Sequence, residues 1–387
     1  MAREYDIVLF GATGFTGTLT AEYLARHAPA GTRWALAGRN RDKLAAVRDR
    51  LAAIDPALTK LPLLTADATD PASVRAVASA ARVVITTVGP YIAHGEPVVA
   101  ACAEAGTDYV DLTGEPEFVD RAYVRHHARA VETGARLVHS CGFDSIPYDL
   151  GVYYTVRQFP DDVPIAVEGF MQASATVSGG TFHSAVTAFS RLRSLAQAAR
   201  DRRRLEARPV GRQVRGTAVR PKRVAVLDAW ALPAPTIDPQ VVLRSARALD
   251  RYGPRFSYGH YVAVKRLRTA LGLAGGVGAM IALAQLRPTR EWLLARKPAG
   301  DGPTPEQRAR SWFKVTFLAE GGGKRVRTEI TGGDPGYDET AKMLAESALC
   351  LAFDDLPPTA GQVTPATAMG DALLDRLVAA GIGFTSR

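Results

Sequence analysis

Cysteine is scarce in this chain of 387 residues, and its three cysteines (Cys102, Cys141 and Cys350) lie far apart. So small and odd a number argues against a disulfide-stapled scaffold, and no C-x-x-C pair offers a structural zinc site. No basic segment followed by an apolar run and a cleavage site opens the sequence, so we expect no secretion signal. These absences favour reduced thiols and a cytoplasmic location.

Acidic residues are in the minority, with 39 Asp and Glu against 48 Lys and Arg, which leaves a net charge of +9. Such an excess suits an anionic cofactor, a lipid surface, an acidic carrier protein or nucleic acid. The sequence lacks zinc-finger, RRM and basic-zipper patterns, so we expect no nucleic-acid partner. With 47% hydrophobic and 22% charged residues, the chain has the composition of a globular protein, and its length permits two domains.

Short apolar runs alternate with helical stretches through the first 140 residues. This alternation predicts a parallel sheet in the strand order 3-2-1-4-5-6 of a doubly wound dinucleotide-binding fold. The expected strands are 5–10, 33–37, 61–66, 83–88, 109–112 and 136–139. The expected helices are 15–27, 41–53, 72–80, 96–105 and 117–132.

The rhythm of the sequence changes after about residue 145. Residues 163–190 look strand-like, residues 191–223 carry a dense run of Arg and Lys, and residues 269–286 contain no charge. Two strands are expected over 311–331 around Gly321-Gly322-Gly323, followed by a helix over 338–352. This break in pattern indicates a second structural unit after the dinucleotide fold.

A glycine-rich segment, Gly11-Ala12-Thr13-Gly14-Phe15-Thr16-Gly17, follows the first strand and opens the first helix. Gly11 permits the tight turn, Gly14 lets the backbone approach a pyrophosphate, and Gly17 allows close packing of the helix on the strand. The spacing is G-x-x-G-x-x-G, and a purely structural turn is the alternative interpretation. Because further strand–helix units surround the segment, we predict that its residues bind a dinucleotide, including Thr13, Phe15 and Thr16.

The end of the second strand lacks the Asp or Glu that binds the ribose 2′-hydroxyl in NAD enzymes. It reads Ala37-Gly38-Arg39-Asn40, which places Arg39 to bind a 2′-phosphate, with Lys43 one helical turn further on. We therefore predict NADP(H) rather than NAD(H) as the cofactor, with Asn40 in the same site. A solvated surface arginine is the alternative.

Two other strand ends are expected to border the cofactor, since ligands of such sheets lie beyond the carboxyl ends of the strands. Asp67-Ala68 follows the third strand at the expected adenine edge, although Asp67 could instead cap a helix. Val88-Gly89-Pro90 follows the fourth strand on the nicotinamide side, although Gly89-Pro90 could be only a turn.

The chain as a whole resembles a known family. Besides the glycine-rich segment it contains AGRN, TTVGPY, DLTGEPEF, HSCGFDSIPYDLG, SGGT, GDPGY and TPATAMGDALL, spread from residue 5 to about 384. This set is similar to the saccharopine dehydrogenase-like oxidoreductases, and closest to the trans-acting enoyl reductases of actinobacterial polyketide lipid synthesis. The resemblance implies an α/β fold with a doubly wound Rossmann NADP-binding domain over 1–145, an inserted α+β substrate domain over 146–335, and C-terminal helices over 336–387 that return to the Rossmann domain.

The resemblance also implies NADPH-dependent reduction of a carbon–carbon double bond, in trans, on a small-molecule or carrier-bound polyketide or lipid intermediate. A saccharopine-type amino-acid dehydrogenase is one alternative, but its substrate needs convergent Arg or Lys clamps, and none is evident in the sequence. A non-enzymatic lipid-surface protein with a vestigial Rossmann domain is the other.

Enoyl reduction requires a hydride on the β-carbon, a proton on the α-carbon and stabilisation of the enolate oxygen between these events. Our candidate catalytic residues are Tyr91, which follows the fourth strand, and Asp144 and Tyr148, which follow the sixth. Two of them have a structural alternative: Tyr91 as an aromatic cover of the strand end, and Asp144 as a helix cap. His94 and Ser145 are further possible donors, with a surface-loop role as the alternative for His94.

Other polar groups give weaker signals. Cys141 is expected to be buried rather than nucleophilic, because no partner histidine is indicated. The segment Ser178-Gly179-Gly180-Thr181 could line the substrate side or form a simple β-turn. No Tyr-x-x-x-Lys dyad is present, which disfavours the alcohol chemistry of short-chain dehydrogenases.

Two segments of the second half could face partners. Residues 269–286 approach the length of a membrane-spanning helix, but glycines at 272, 275, 276 and 278 weaken the hydrophobicity. We expect a buried helix or an apolar lip for a lipid chain, with peripheral contact to anionic lipid through the flanking basic residues. The basic run at 191–223 is interpreted as a solvated helix and loop, or as a docking site for an acidic acyl carrier domain.

Overall fold

The computed structural model describes residues 3–175, 179–296 and 302–387. The strands are β1 (Tyr5–Phe10), β2 (Trp34–Gly38), β3 (Leu63–Thr65), β4 (Ala81–Thr86), β5 (Asp108–Asp111), β6 (Arg136–Val138), β7 (Ile165–Ser174), β8 (Gln213–Gly216), β9 (Lys222–Val224), β10 (Ala229–Pro233), β11 (Arg255–Val264), β12 (Trp312–Gly321), β13 (Lys324–Gly332), β14 (Gly361–Val363) and β15 (Gly383–Ser386).

The α-helices follow the same chain order. They are α1 (Phe15–His27), α2 (Arg41–Ala52), α3 (Pro71–Ala80), α4 (Tyr91–His94), α5 (Glu96–Ala105), α6 (Pro116–Thr133), α7 (Ile146–Val156), α8 (Gly179–Ser190), α9 (Leu192–Leu205), α10 (Asp238–Ala248), α11 (Leu267–Ala284), α12 (Arg287–Arg296), α13 (Pro305–Ala309), α14 (Asp338–Phe353) and α15 (Pro365–Ala379).

The first sheet is parallel and has the strand order β14-β6-β5-β4-β1-β2-β3. Val8 of β1 lies opposite Ala35 of β2 on one side and Val84 of β4 on the other. The central strands are rich in Val, Ile, Leu and Ala and almost wholly buried, as expected for a parallel sheet covered on both faces. The predicted α/β class and the 3-2-1-4-5-6 order are thus confirmed, and the predicted elements end within two residues of the observed ones.

The second sheet is mixed and has eight strands, in the order β15-β13-β12-β7-β11-β10-β9 with β8 paired to β11. Its central strand β7 is parallel to β11 and antiparallel to β12. The β12–β13 hairpin turns at Gly322 and Gly323, whose φ values of 55° and 78° suit a two-residue hairpin turn. The prediction of two strands around this glycine run is confirmed.

Helix α7 connects the first sheet to the second. A side chain at Gly151 of α7 would lie 2.4 Å from the Phe317 ring of β12, so the absence of one allows the helix to lie close on the sheet. One continuous cluster of buried side chains extends from Ile7 and Leu9 of the first sheet to Phe317 and Ile330 of the second. The two sheets therefore share one continuous core.

The C-terminal segment contacts both sheets. Helix α14 packs against α1, β1, β4 and β5, and β14 extends the first sheet beside β6. Strand β15 instead pairs with β13 of the second sheet, with Phe384 opposite Ile330. The domain boundaries at residues 145 and 335 remain our proposal, with the addition that the last strand completes the second sheet.

One sequence-based expectation is wrong, and for the apolar segment a buried helix is excluded while an apolar lip stays a prediction. Residues 163–190 do not continue as strand, because β7 ends at Ser174 and α8 begins at Gly179. Ser178 lies outside the described residues. The apolar segment is helical as α11 but is not buried, since Ala270 and Ala284 are its only buried residues. Short apolar runs without clear periodicity do not distinguish these outcomes.

The basic run is largely tied to the protein itself. Arg191 makes two hydrogen bonds to Glu117 of α6, Arg212 pairs with Asp250, and Lys222 pairs with Glu168. Arg202 is buried rather than solvated. Some of the basic side chains therefore attach α9 and the following loop to the rest of the protein. The exposed basic side chains of the run could still contact a partner.

Candidate functional site

The glycine-rich turn between β1 and α1 depends on two of its glycines. Gly11 has φ +93°, and a side chain there would lie 2.7 Å from Thr87 Oγ1. A side chain at Gly17 would lie 2.2 Å from the Gly11 carbonyl oxygen. Neither position accepts a larger residue without movement of the backbone, so both glycines are required by the turn itself.

Gly14 differs from its two neighbours. A side chain there would meet its nearest neighbour, the Gly11 carbonyl oxygen, at 3.5 Å, which is an ordinary contact. Gly14 is the N-cap of α1 and offers no side chain to the first-turn amides of the helix. Exposed Thr13 and Gly14 thus border an uncapped helix N-terminus, the arrangement that binds a pyrophosphate. Packing therefore does not require glycine at position 14, whereas close approach of the predicted pyrophosphate does.

The side chains of the turn are divided between packing and exposure. Phe15 packs edge-on against Tyr337, with ring centroids 4.7 Å apart, which brings the GDPGY segment to the cofactor turn. Thr16 is partly exposed at the start of the helix. The contribution of Phe15 to the site is therefore its backbone amide together with the anchoring of the turn.

Arg39 follows β2 directly, is exposed, and has no hydrogen-bond or ion-pair partner among the described residues. Asn40 is the N-cap of α2, and its side-chain oxygen accepts a hydrogen bond from the Lys43 amide at 2.9 Å. This cap holds the first turn of α2, from which the exposed Lys43 side chain projects. The two cations at the end of β2 fit a phosphate group.

Asp67 lies opposite these cations, at the end of β3. Its Oδ1 accepts hydrogen bonds from the amide and the hydroxyl of Thr69, both at 2.8 Å. These bonds lower the pKa of Asp67, and the charges of Arg39 and His94 lower it further. The cap of α3 is Asp70, so the alternative of a helix-capping role for Asp67 is wrong. Ala68 beside it is buried.

The turn after β4 is held by a residue that the sequence analysis missed. The buried carboxylate of Glu115 accepts hydrogen bonds from the amides of Tyr91 at 3.0 Å and Ile92 at 2.9 Å, and from Ser184 Oγ at 2.9 Å. Glu115 therefore fixes the segment Val88-Gly89-Pro90 and joins it to α8. Its position within the quoted DLTGEPEF segment was the available signal.

The Tyr91 hydroxyl is already engaged within the protein. The ring is buried, and the hydroxyl donates to the Thr86 carbonyl oxygen at 3.0 Å. Burial raises the pKa of Tyr91 well above its usual value, which keeps the hydroxyl protonated. This geometry favours the structural alternative for Tyr91 over the predicted catalytic role.

Asp144, Ser145 and Tyr148 meet three residues of the second half that the sequence analysis did not single out. Ser145 Oγ donates to Asp238 Oδ1 at 3.2 Å, and Asp238 Oδ2 lies 3.4 Å from His260 Nε2. The other nitrogen of His260 lies 2.9 Å from the Tyr258 hydroxyl. The Tyr148 ring packs edge-on against His260, with centroids 4.9 Å apart. A histidine within an otherwise apolar strand was the sole sequence signal for this cluster.

Asp144 is the carboxyl group of this cluster without a hydrogen bond from any described residue. It is partly exposed and lies against the loop after β5, where its Oδ2 is 2.8 Å from the position of a side chain at Gly114. Burial raises the pKa of Asp144 to about 7, and the nearby charge of Asp238 raises it in the same direction. A carboxyl that holds its proton near neutral pH can donate it.

The backbone at this point is under strain. Ser145 has φ +104°, outside the region that residues with a side chain ordinarily occupy. The turn from Cys141 to Ser145 leaves Asp144 partly exposed and places the Ser145 hydroxyl on Asp238. Strain of this kind concentrates at functional sites. Cys141 beside it is fully buried, and burial raises the pKa of its thiol well above the usual value, as expected for an inert cysteine.

Comparison with known proteins identifies the fold and the cofactor. Residues 7–138 match the family model described as the saccharopine dehydrogenase NADP binding domain, so the predicted cofactor NADP(H) is confirmed. The fold is similar to that of apo saccharopine dehydrogenase (L-Glu forming) from Saccharomyces cerevisiae, with a TM-score of 0.56 over 98% of this chain and 99% of that chain at 12% identity.

Relatives of similar length match the whole chain. It is 41% identical to the Mycobacterium tuberculosis protein Rv2449c, whose name provisionally assigns it as a trans-acting enoyl reductase, over 99% of this chain and 97% of that protein. It is 36% identical to the trans-acting enoyl reductase of Mycobacterium bovis over 98% of this chain and 97% of that protein. The chain therefore belongs to the saccharopine dehydrogenase-like family of NADP-dependent oxidoreductases, together with the mycobacterial trans-acting enoyl reductases.

Proposed function

We propose that this protein is a trans-acting enoyl reductase that reduces a carbon–carbon double bond conjugated to a thioester on a polyketide or lipid intermediate. The observation that carries the proposal is Asp144, a partly exposed carboxyl with a pKa of about 7 and no hydrogen bond from a described residue. It lies at the sheet edge where the turns after β4 and β5 also end. Such a group can supply the proton that this reaction requires.

The cofactor would be held by the backbone amides that begin α1, with Arg39 and Lys43 on its 2′-phosphate. The turn Val88-Gly89-Pro90, fixed by Glu115, would border its nicotinamide half. When bound, NADPH supplies the hydride that adds to the β-carbon of the substrate.

Asp144 completes the reduction by transferring its proton to the α-carbon. The negative charge of Asp238 favours the protonated form of Asp144, and Ser145 and His260 hold Asp238 in place. The Tyr148 hydroxyl has no hydrogen-bond partner among the described residues, so it is available to stabilise the enolate oxygen by donating to it.

This assignment can be tested by following oxidation of NADPH by the purified protein with enoyl-thioester substrates. Asp144→Asn removes the proton and keeps the shape, so we expect kcat to fall by about 10²–10⁴-fold with NADPH affinity unchanged. The wild-type rate should decline as the pH rises through about 7, because the protonated carboxyl is the active form.

The matched control is Asp355→Asn, an exposed aspartate far from this cluster in the sequence, which should leave kcat unchanged. A normal kcat in Asp144→Asn would remove Asp144 from the mechanism. Amino and keto acids should give no NADPH oxidation, since a polycarboxylate needs Arg or Lys clamps and no described Arg or Lys shifts the pKa of Asp144. Turnover of those substrates alone would support the amino-acid dehydrogenase instead.

The exposed apolar helix α11 is consistent with a lipid substrate. Of the described helices, it is the one long and apolar enough to cross a membrane. Leu271 is 65% exposed, Leu286 64% and Trp292 of α12 50%. Basic residues stand at both ends of the helix: Lys265, Arg266, Arg268, Arg287, Arg290 and Arg296. An apolar surface between cations is complementary to an anionic lipid surface, and we propose peripheral contact there.

Vesicle sedimentation tests the contact. The protein should bind vesicles of phosphatidylglycerol at low salt and bind phosphatidylcholine vesicles weakly. Leu271→Asp should reduce this binding about tenfold or more, because a charge is placed on the apolar face. Val210→Asp, at a site 97% exposed elsewhere, is the control that should bind normally. Equal binding by both variants would show that α11 does not contact lipid.

Delivery by an acyl carrier domain is the remaining part of the proposal. Exposed arginines of the basic run without a partner among the described residues include Arg193, Arg203 and Arg220. They offer a positive surface to an acidic carrier, which would speed its encounter with the enzyme.

A further inference from the structure

A cavity of about 350 Å³ lies between helices α6, α9 and α10, and β14 of the first sheet forms part of its wall. It belongs neither to the cofactor turn nor to the cluster around Asp144. Val119, Val241 and Val363 supply apolar walls, and four arginines, Arg202, Arg208, Arg244 and Arg247, line the same space.

The arginines of this cavity outnumber the carboxylates that pair with them in the described part of the chain. There, Arg202, Arg244 and Arg247 share two carboxylates. Glu206 lies 2.9 Å from Arg202 and 3.3 Å from Arg247, and Asp120 pairs with Arg244 and lies 3.5 Å from Arg202. Arg208 has no partner among the described residues. Four guanidinium groups against two carboxylates leave an excess of two positive charges around the cavity.

Burial makes this excess costly. Arg202 is 5% exposed, stacks over the Tyr123 ring at 4.1 Å and donates to Gln362 Oε1 at 3.1 Å. Burial, followed by repulsion from Arg244, lowers the pKa of Arg202 to about 10. Like charges held together in a partly desolvated space are stabilised by an anion placed between them.

A buried polar atom also faces this space without a partner. His139 lies in the wall and is 4% exposed, and its Nδ1 is 2.6 Å from Asp111 Oδ2. Its Nε2 is buried and has no hydrogen-bond partner in the part of the chain that the structure describes. With Nδ1 donating to Asp111, Nε2 accepts from a neutral ligand group, or donates to an anion when the ring is protonated.

We propose that this cavity binds an organic phosphate, with the phosphate group on the arginines and the rest of the molecule against the apolar wall. The excess positive charge attracts a phosphate group, which carries one negative charge as the phosphodiester of a carrier-bound arm and up to two as a free monoester, and guanidinium groups bind phosphate oxygens in pairs. The volume exceeds that of phosphate alone, which leaves room for an attached chain.

The phosphopantetheine arm of an acyl carrier is the source that accords with the carrier-bound substrate, and this identification rests on the proposed function. Helix α10 borders both the cavity and the cluster around Asp144. Arg244 in the cavity wall follows Asp238 of that cluster by six residues, about 9 Å along the helix axis. A phosphate bound here would place the attached chain near the cluster around Asp144.

The test is titration calorimetry on the full-length protein saturated with NADPH, which occupies the dinucleotide site. The probes are 4′-phosphopantetheine, pantetheine, inorganic phosphate and glutamate. We expect phosphopantetheine to bind at least tenfold more tightly than each of the others. Arg208→Ala removes an exposed, unpaired arginine and should weaken that binding about tenfold without loss of folding. Arg204→Ala, on α9 but outside the cavity lining, should bind normally.

Absence of saturable phosphopantetheine binding would overturn the proposal, as would equal binding by Arg208→Ala and the wild-type protein. Equally tight binding of inorganic phosphate or pantetheine would refute a site for the organic phosphate, and tighter binding of glutamate would assign the arginines to a carboxylate. None of these measurements needs turnover, so the site can be established or refuted independently of the reductase activity.

Discussion

At the scale of single residues, three aspartates near the carboxyl edge of the first sheet differ in what surrounds them. Asp111 accepts from the Tyr109 hydroxyl and from the amides of Thr113 and Ser140, besides its contact with His139. Asp149 accepts from Ser245 and from the Ala366 amide. Asp144 receives no hydrogen bond from a described residue and is partly exposed, which is why we propose it as the proton donor.

We predict that a single residue, Arg39, determines the preference for the phosphorylated cofactor. Arg39→Asp should raise the Kd for NADPH at least about tenfold, because a charge-assisted hydrogen bond contributes about 1.5–3 kcal/mol and the new carboxylate repels phosphate. The Kd for NADH should change much less. Fluorescence titration of both cofactors measures the difference, with Arg255→Asp as an exposed control. Equal losses for both cofactors would show that Arg39 does not bind the 2′-phosphate.

At the scale of elements, different glycines of the glycine-rich turn are expected to serve packing and ligand binding. Gly17→Ala places a side chain 2.2 Å from a carbonyl oxygen and should lower the melting temperature of the protein. Gly14→Ala meets only an ordinary contact in the protein, so its melting temperature should stay near that of the wild type while NADPH binding is lost. Thermal unfolding with and without NADPH checks both variants. A Gly14→Ala protein that binds NADPH normally would refute a pyrophosphate at this turn.

Helices α8 and α11 show where local pattern was insufficient. The first was expected as strand, and the second was left as either a buried helix or an apolar lip; in both segments small residues and glycines weaken the periodicity. Whether an apolar helix is covered depends on what packs against it. That property belongs to the tertiary structure rather than to the segment.

At the scale of the whole molecule, Asp149 joins α7 to α10 and α15 where the two sheets meet. Burial raises the pKa of Asp149 from 3.8 to about 7. The folded state therefore holds an extra proton between about pH 4 and pH 7. The resulting stability is fully present below about pH 4 and is lost as the pH rises through about 7.

Asp149→Asn keeps a neutral side chain at every pH, which gives a direct comparison. The melting temperature of the wild-type protein relative to this variant should fall between pH 5 and pH 8. Other titrating groups are common to both proteins and cancel in the difference. A difference that stays constant or rises with pH would contradict the raised pKa of Asp149.

The sequence by itself determined the parallel sheet, its strand order, the cofactor turn and the preference for NADP(H). These features follow from local regularities: buried parallel strands are continuous apolar runs, and a tight turn over a phosphate needs glycine at given positions. The hairpin at Gly322 and the long helix α14 were also predictable, because each depends on neighbours in the chain.

Only the tertiary structure decided the rest. Asp238, Tyr258 and His260 lie 90 residues or more from Asp144 in the chain, and their grouping is fixed by α7 lying close on the second sheet. Tyr91 was the first choice by sequence and Asp144 a further candidate, and their surroundings separate them: the Tyr91 hydroxyl donates to a carbonyl oxygen, whereas the Asp144 carboxyl receives no hydrogen bond from a described residue. The pKa, exposure and charge balance of a side chain are set by everything around it, and most of those surroundings are distant in sequence.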